Sequence, residues 1–254
     1  IFRTVFLRFF IILIFLFSPN FSVQAIPLPE LHQCNKTLTY QLYFSGLKVG
    51  TLSRHVHWRG NKAKVYAYGN ADVLVTSSKY KNQTEMEWSD AQQSFITHSF
   101  NQSVTGLLSR KATGTFSANG QQATIIKDGE TTQYNDPDFP LLDGDTLGAQ
   151  LRLLLIQGKT KFDFKMQSTS KVSHYFFEVL GSEKITTRYG EVETLKVRQT
   201  EVDDRQIDMW FAPSLDYQLV KAKYKRNILK LEAELVSMKK ECPPTLSAKA
   251  TPTK

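Results

Sequence analysis

Cysteine is scarce. The 254 residues hold two, Cys34 and Cys242, and neither belongs to a C-x-x-C pair, which argues against a catalytic thiol. Long apolar runs are equally scarce: after FFIILIFLF at residues 9–17 no stretch is long enough to cross a bilayer as a helix. The G-x-S-x-G, H-E-x-x-H, P-loop and dinucleotide-binding signatures are missing, which lowers the expectation of an enzyme. Basic residues exceed acidic ones, with a net charge of +8, but they are scattered and form no recognisable DNA- or RNA-binding motif. Nucleic acid is therefore not an expected partner.

Acidic residues are absent before Glu30, and Arg3 and Arg8 precede the apolar run. Ser18-Pro19 breaks that run and Val23-Gln24-Ala25 follows it. A positive start, an apolar stretch about half the length of a spanning helix, and a small residue at the end form a secretory leader. The expectation is cleavage after Ala25, which removes two arginines and leaves a net charge of about +6, with no transmembrane segment remaining. Cys34 is a poor lipidation site, because Leu31-His32-Gln33 precede it where a lipoprotein signal has small residues. In an exported chain the two cysteines most simply pair, and closing so long a loop is worth roughly 5 kcal/mol; the alternative is two free thiols.

What remains reads mostly as strands. In KTLTYQLYF, Leu38, Tyr40, Leu42 and Phe44 alternate, as do Phe162, Phe164 and Met166, and Tyr175, Phe177 and Val179. Turn signals separate such runs, among them Arg59-Gly60-Asn61, Ala118-Asn119-Gly120, Lys127-Asp128-Gly129, Tyr189-Gly190 and Asp203-Asp204. The pattern predicts roughly a dozen strands in a mainly β fold: one large curved antiparallel sheet, barrel-like or sandwich. One short amphipathic helix is expected near 146–157, with Leu147, Leu151, Leu154 and Leu155 at helical spacing, Asp145 as N-cap and Gly158 as stop. The stretch YNDPDFPLLDGD before it reads as a loop. The expected organisation is a signal peptide over 1–25, one β-rich domain over 26–242 and a disordered tail over 243–254.

Several residue sets invite a chemical reading. His55 and His57 share one face of a predicted strand and could both reach a metal, yet no third ligand is near in sequence. Asp136, Asp138, Asp143 and Asp145 form an oxygen-rich stretch attractive to calcium, without the EF-hand spacing. Capping and turn chemistry account for it equally well, so neither a metal site nor a cofactor is predicted. Glu201, Asp203, Asp204 and Asp208 read as a polar hairpin tip rather than a glycosidase pair. Lys221, Lys223 and Lys225 alternate onto one strand face, where they could meet an anionic lipid or glycan, or simply guard an edge. N-x-S/T sequons occur at Asn20, Asn35, Asn82 and Asn101.

Four stretches, LTYQLYFSGLKVGTL, DGDTLGAQLRLL, GSEKITTRYGEVETLKV and MWFAPSLDYQLVKAKY, carry a family resemblance over roughly 36–238. The chain resembles the exported proteins of domain-of-unknown-function family 3108 of Gram-negative bacteria. In the last stretch that family often has Pro after Leu, where this chain has Val220 after Leu219. The resemblance implies a periplasmic protein with a strongly curved antiparallel sheet and structural roles for Gly46, Gly50 and Trp210, and it supplies no catalytic residues to carry over. The expected function is a non-enzymatic periplasmic binding or carrier protein for a lipid or envelope glycan. The alternatives are a scaffold for an envelope protein partner and a hydrolase using the acidic loop with His55 or His57.

Overall fold

The structure is a computed structural model that describes residues 33–73, 76–106, 109–201 and 204–243. The leader over 1–25, its Asn20 sequon, Asp203 and the tail beyond Pro243 lie outside the described residues. The first eight strands are β1 (Asn35–Phe44), β2 (Leu47–Arg59), β3 (Lys62–Val73), β4 (Thr76–Ser89), β5 (Ser94–Thr105), β6 (Arg110–Phe116), β7 (Gln122–Lys127) and β8 (Glu130–Asn135). The short β9 (Leu141–Leu142) leads into helix α1 (Gly144–Ile156). Then come β10 (Lys161–Gln167), β11 (Val172–Thr187), β12 (Gly190–Thr200), β13 (Gln206–Ala212), β14 (Gln218–Arg226) and β15 (Leu229–Glu241).

All fifteen strands of the described residues belong to one strongly curved, nearly closed sheet that forms a barrel. Its order is β8-β7-β6-β5-β4-β3-β2-β1-β15-β14-β13-β12-β11-β10-β9, so the chain makes two meandering arms joined where β1 pairs with β15. Neighbouring strands are antiparallel except β9 and β10. The Cys34–Cys242 disulfide closes that seam just beyond the Asn35–Glu241 pair and spans 208 residues, so it pins the first strand to the last.

Alternation explains the wall. Leu38 and Tyr40 on β1, Val65 on β3, Met86 and Trp88 on β4 and Leu235 on β15 are buried, while their sequence neighbours face outward or are half-covered. Gly46 turns the first hairpin with φ +85°, and Gly50 stands where β2 bulges opposite Leu42 and Tyr43. A Cβ at Gly50 would collide with the Asn70 carbonyl oxygen, so this position admits no side chain without backbone movement. Trp210 is buried beside Leu38, Tyr40 and Val220, and its indole N–H donates to Glu183.

The helix plugs the barrel. Leu151 and Leu155 pack on Phe164, Phe177, Val197 and Phe211 of the second arm, and Leu153 packs on Trp88 and Phe95 of the first. Three details differ from the sequence expectation. The sheet has fifteen strands rather than about a dozen, because short polar strands such as β8, ETTQYN, carry no apolar alternation. The presumed loop before the helix contains β9, two leucines buried in the core. The helix starts at Gly144 and its N-cap is Asp143, whose side chain accepts from the Asp145 and Thr146 backbone N–H groups. Gly158 ends the helix as expected, with φ +74°.

Candidate functional site

Two clusters of buried charge line the inside of the barrel along α1. The first lies at its N-terminus. Asp145 forms an ion pair with Arg54 of β2, and its other oxygen accepts from Asn82 Nδ2 at 2.9 Å and Thr84 Oγ1 at 3.2 Å. Asp143 accepts from Thr84 Oγ1 at 2.6 Å, Thr97 Oγ1 at 3.4 Å and Thr146 N at 2.9 Å. Burial, then the charge of Asp145, pushes the Asp143 carboxyl above its ordinary range. Burial with both carboxylates nearby pushes the Tyr80 phenol up to about 12. Burial opposes the Arg54 charge, but Asp145, Tyr40 and Asp143 outweigh it and raise its pKa.

About two turns further along α1 lies the second cluster. Lys36 of β1 points inward with its side chain 5% exposed; its ammonium is 3.6 Å from Asp216 Oδ2 and has no hydrogen-bond partner. Burial, then the Arg152 guanidinium, lowers its pKa to about 7, against the opposing pull of Asp216. Arg152 donates from Nε to the Asp216 carbonyl at 2.6 Å, and burial lowers its pKa to about 10. Asp216 is also bonded to Lys240 at 2.8 Å. Asp216 and Tyr217 have φ +56° and +53°, a left-handed pair that non-glycine residues adopt only where their surroundings enforce it.

A cavity of about 60 Å³ joins the two clusters. Lys36, Arg54, Arg152 and Asp145 supply its charge, and Cys34 of the disulfide lies in its wall. Gly148 and Ala149 leave the helix side of the cavity bare. A groove of about 670 Å³ sits at the end of the β2–β3 hairpin, shares Trp58 with the cavity and carries His57, Arg59, Lys62 and Lys64.

Of the residues singled out from sequence, Asp143 and Asp145 form the first cluster and Cys34 lines the cavity, while the others lie elsewhere or act otherwise. His55 and His57 are on the outer face of β2, edge-on to Tyr68 and Tyr66, whereas Asp143 and Asp145 are inside. The hydrolase pairing is therefore divided by the barrel wall. Among the described residues no group of three His, Cys, Asp or Glu side chains could hold a metal. Asp136 instead caps a turn through the Asp138 and Phe139 N–H groups and faces Lys165 at 3.5 Å. Asp208 is not part of a hairpin tip: it lies in β13 and is held by Arg198 through two bonds of 2.6 and 2.9 Å. Lys221, Lys223 and Lys225 do share a face, but Lys221 meets Glu234 at 2.6 Å and Lys223 meets Glu232 at 3.5 Å, so the stripe is largely neutralised. Asn82 is a buried donor to Asp145 rather than an open sequon.

Sequence reasoning missed Lys36, Arg54 and Arg152. A signal was present. Lys36 precedes Leu38 and Tyr40 in phase, Arg54 lies between Leu52 and Val56 in phase, and Arg152 falls amid the leucines of α1. A cation at a core-phase position was the mark.

No helix among the described residues is long and apolar enough to cross a membrane. No curated protein matches the chain. Among solved structures, the chain is similar to a β-barrel-like protein of domain of unknown function DUF1849 from Brucella abortus. The TM-score is 0.56 at 8% sequence identity, covering 84% of this chain and 99% of that one, a likeness of fold alone. The family model described as protein of unknown function DUF3108 matches residues 39–236, and the chain belongs to that family.

Proposed function

We propose that this protein is a non-enzymatic periplasmic binding protein that receives one anionic group, a carboxylate or a phosphate, in the cavity between α1 and strands β1–β4. One observation carries the reading: the Lys36 ammonium is buried against that cavity without a hydrogen bond, with Asp216 at 3.6 Å on one side and Arg152 as a like-charged neighbour. A buried charge left in this state is costly, and an anion would relieve both the missing bonds and the repulsion.

Volume restricts the ligand. The 60 Å³ is several times the roughly 10–15 Å³ that one water requires, but far below the roughly 300–1,000 Å³ of pockets for larger molecules. A single carboxylate or phosphate group fits; an acyl chain or sugar ring does not. The adjoining groove of 670 Å³ has the capacity for the body of a lipid headgroup or envelope glycan that carries the anion. The disulfide supports the periplasmic part of the reading, since such bonds persist in oxidising compartments.

The test is thermal melting in inorganic phosphate or acetate against chloride at constant ionic strength. Phosphate at ten times its dissociation constant should raise the melting temperature by about 3–5 °C. Lys36→Met should abolish the rise. Gly148→Leu should also abolish it by filling the cavity, because a Cβ at Gly148 meets nothing within 4 Å. An equal rise in Gly148→Leu and the unmodified protein, or no rise in either, would overturn the reading.

A further inference from the structure

The four strands at the centre of the sheet, β2-β1-β15-β14, end in two hairpins whose tips lie side by side, stitched by a hydrogen bond of 2.9 Å from Ser45 N to Lys230 O. The inward face of these strands continues past the barrel core as an apolar lip. Phe44 is paired with both Leu47 and Leu231, so the three share one face, and Leu229 follows in phase. Leu47 is 71% exposed and Leu231 39%, while Ile228, at the turn itself, is 92% exposed. Hairpin turns ordinarily carry Gly, Asn or Asp, as the Asp128-Gly129 turn between β7 and β8 does. The β14–β15 turn meets this need with Asn227, at φ +51°, but its second residue, Ile228, is β-branched and apolar, and at 92% exposure it adds nothing to the core.

The opposite face of the same tips is basic. Lys48, Lys225 and Lys230 have no carboxylate within ion-pairing distance among the described residues, in contrast to Lys221 and Lys223 further down β14. Lys225 stands directly across from Lys230 in the β14–β15 ladder. Like charges in that position repel one another, and nothing within the described chain compensates them. An apolar tip flanked by uncompensated cations has the composition of an interfacial anchor.

We infer that the paired tips of the β1–β2 and β14–β15 hairpins form a docking edge for an anionic phospholipid surface. Leu47, Ile228 and Leu231 enter the interfacial region, and Lys48, Lys225 and Lys230 lie against the lipid phosphates. Charge complementarity favours a lipid surface over a protein partner: the cations are spaced along an edge rather than gathered into a pocket, and the apolar residues sit at a turn and the strand ends beside it instead of lining a groove. The edge is separate from the cavity beside α1, so it holds or fails independently of the anion-binding reading.

The test is cosedimentation of the purified chain with vesicles of phosphatidylcholine alone and with vesicles carrying an equal share of phosphatidylglycerol. The chain should bind the second and not the first. Lys225→Glu with Lys230→Glu should weaken that binding by at least about tenfold. Leu47→Ser with Ile228→Ser should weaken it to a similar extent. All four substitutions are at exposed positions, and an unchanged melting curve checks that each variant is folded. As a second readout, Ile228→Trp should give emission that shifts to the blue on acidic vesicles and is quenched by brominated lipid. Equal binding to both vesicle types, variants that bind like the unmodified chain, or an Ile228→Trp emission unmoved by vesicles would overturn the inference. So would self-association that the tip substitutions abolish while vesicle binding is absent, since the edge would then join two copies of the chain.

Discussion

The two charged clusters along α1 are built from the same kinds of residue and are treated in opposite ways. At the helix N-terminus every charge is answered: Arg54 by Asp145, and both aspartates by hydroxyl, amide or backbone donors. The atoms left without a partner there, Asn82 Oδ1 and Thr146 Oγ1, are neutral. In the second cluster the Lys36 ammonium has Asp216 at 3.6 Å but no hydrogen bond. A buried neutral oxygen without a hydrogen bond costs on the order of 1–3 kcal/mol, and a buried charge without one costs more. The first cluster therefore behaves as structure that fixes the helix to β2 and β4. The second retains an unmet requirement at the wall of a cavity, which is the physical signature of a place that something else completes.

The comparison breaks most visibly at Asp145. Asp145→Ala leaves the Arg54 guanidinium without its carboxylate in a half-buried position, and Asn82 loses an acceptor. Removing one partner of a buried pair costs about 3–5 kcal/mol, because the remaining charge stays desolvated. Replacing both, as Arg54→Met with Asp145→Leu, should cost clearly less than Asp145→Ala alone. Urea unfolding of the three proteins measures this, and a double variant less stable than the single one would contradict the account.

Lys36→Met should move stability the other way. Asp216 keeps Lys240 at 2.8 Å, so no carboxylate is stranded, and the burial of the ammonium beside Arg152 is removed. The expected gain at pH 7 is about 1–4 kcal/mol. The pH dependence follows from the lowered pKa. Between about 7 and 10.5 the unfolded lysine holds a proton that the folded one has released, so stability attributable to Lys36 rises with pH across that interval. The destabilisation is complete below pH 7 and vanishes above 10.5. Lys36→Met should be flatter through this range in pH-resolved unfolding curves. A loss of stability would mean that Lys36 is as well compensated as Arg54.

Much of the wall could be read directly from the sequence, and the interior could not. Alternation in LTYQLYF, KFDFKM and SHYFFEVL places Leu38, Tyr40, Phe164 and Phe177 in the core because a half-buried strand permits little else. The helix could be read from its leucine spacing, but its cap was misplaced from Asp143 to Asp145. Both are aspartates beside Gly144, and only the tertiary contact of Asp145 with Arg54 assigns their roles. Short β8 and β9 escaped because paired strands at a sheet margin need no apolar period of their own. The cavity was invisible for a different reason. It depends on Lys36, Arg54 and Arg152 meeting across elements separated by many residues, and sequence order carries no trace of that meeting beyond a cation at an apolar phase.

The finest distinction lies within the first cluster, between two aspartates two residues apart. Asp143→Asn keeps an oxygen for the Thr146 N–H and so keeps the helix cap. The new amide can donate to Thr84 Oγ1, whose hydroxyl then turns to Asp145 Oδ2 at 3.2 Å. What disappears is a buried negative charge whose pKa burial and Asp145 already hold up. Because the folded state binds that proton more tightly than the unfolded chain does, stability falls as pH rises from the ordinary carboxylate range through the raised value. Asp143→Asn should therefore stay within about 1 kcal/mol of the unmodified protein at pH 7 and lose that fall. Asp145→Asn, the same change in charge, deprives Arg54 of its counter-ion and should be several times more costly. Equal losses in the two variants would mean that the carboxylates act as one unit, and the division of labour between cap and counter-ion would be wrong.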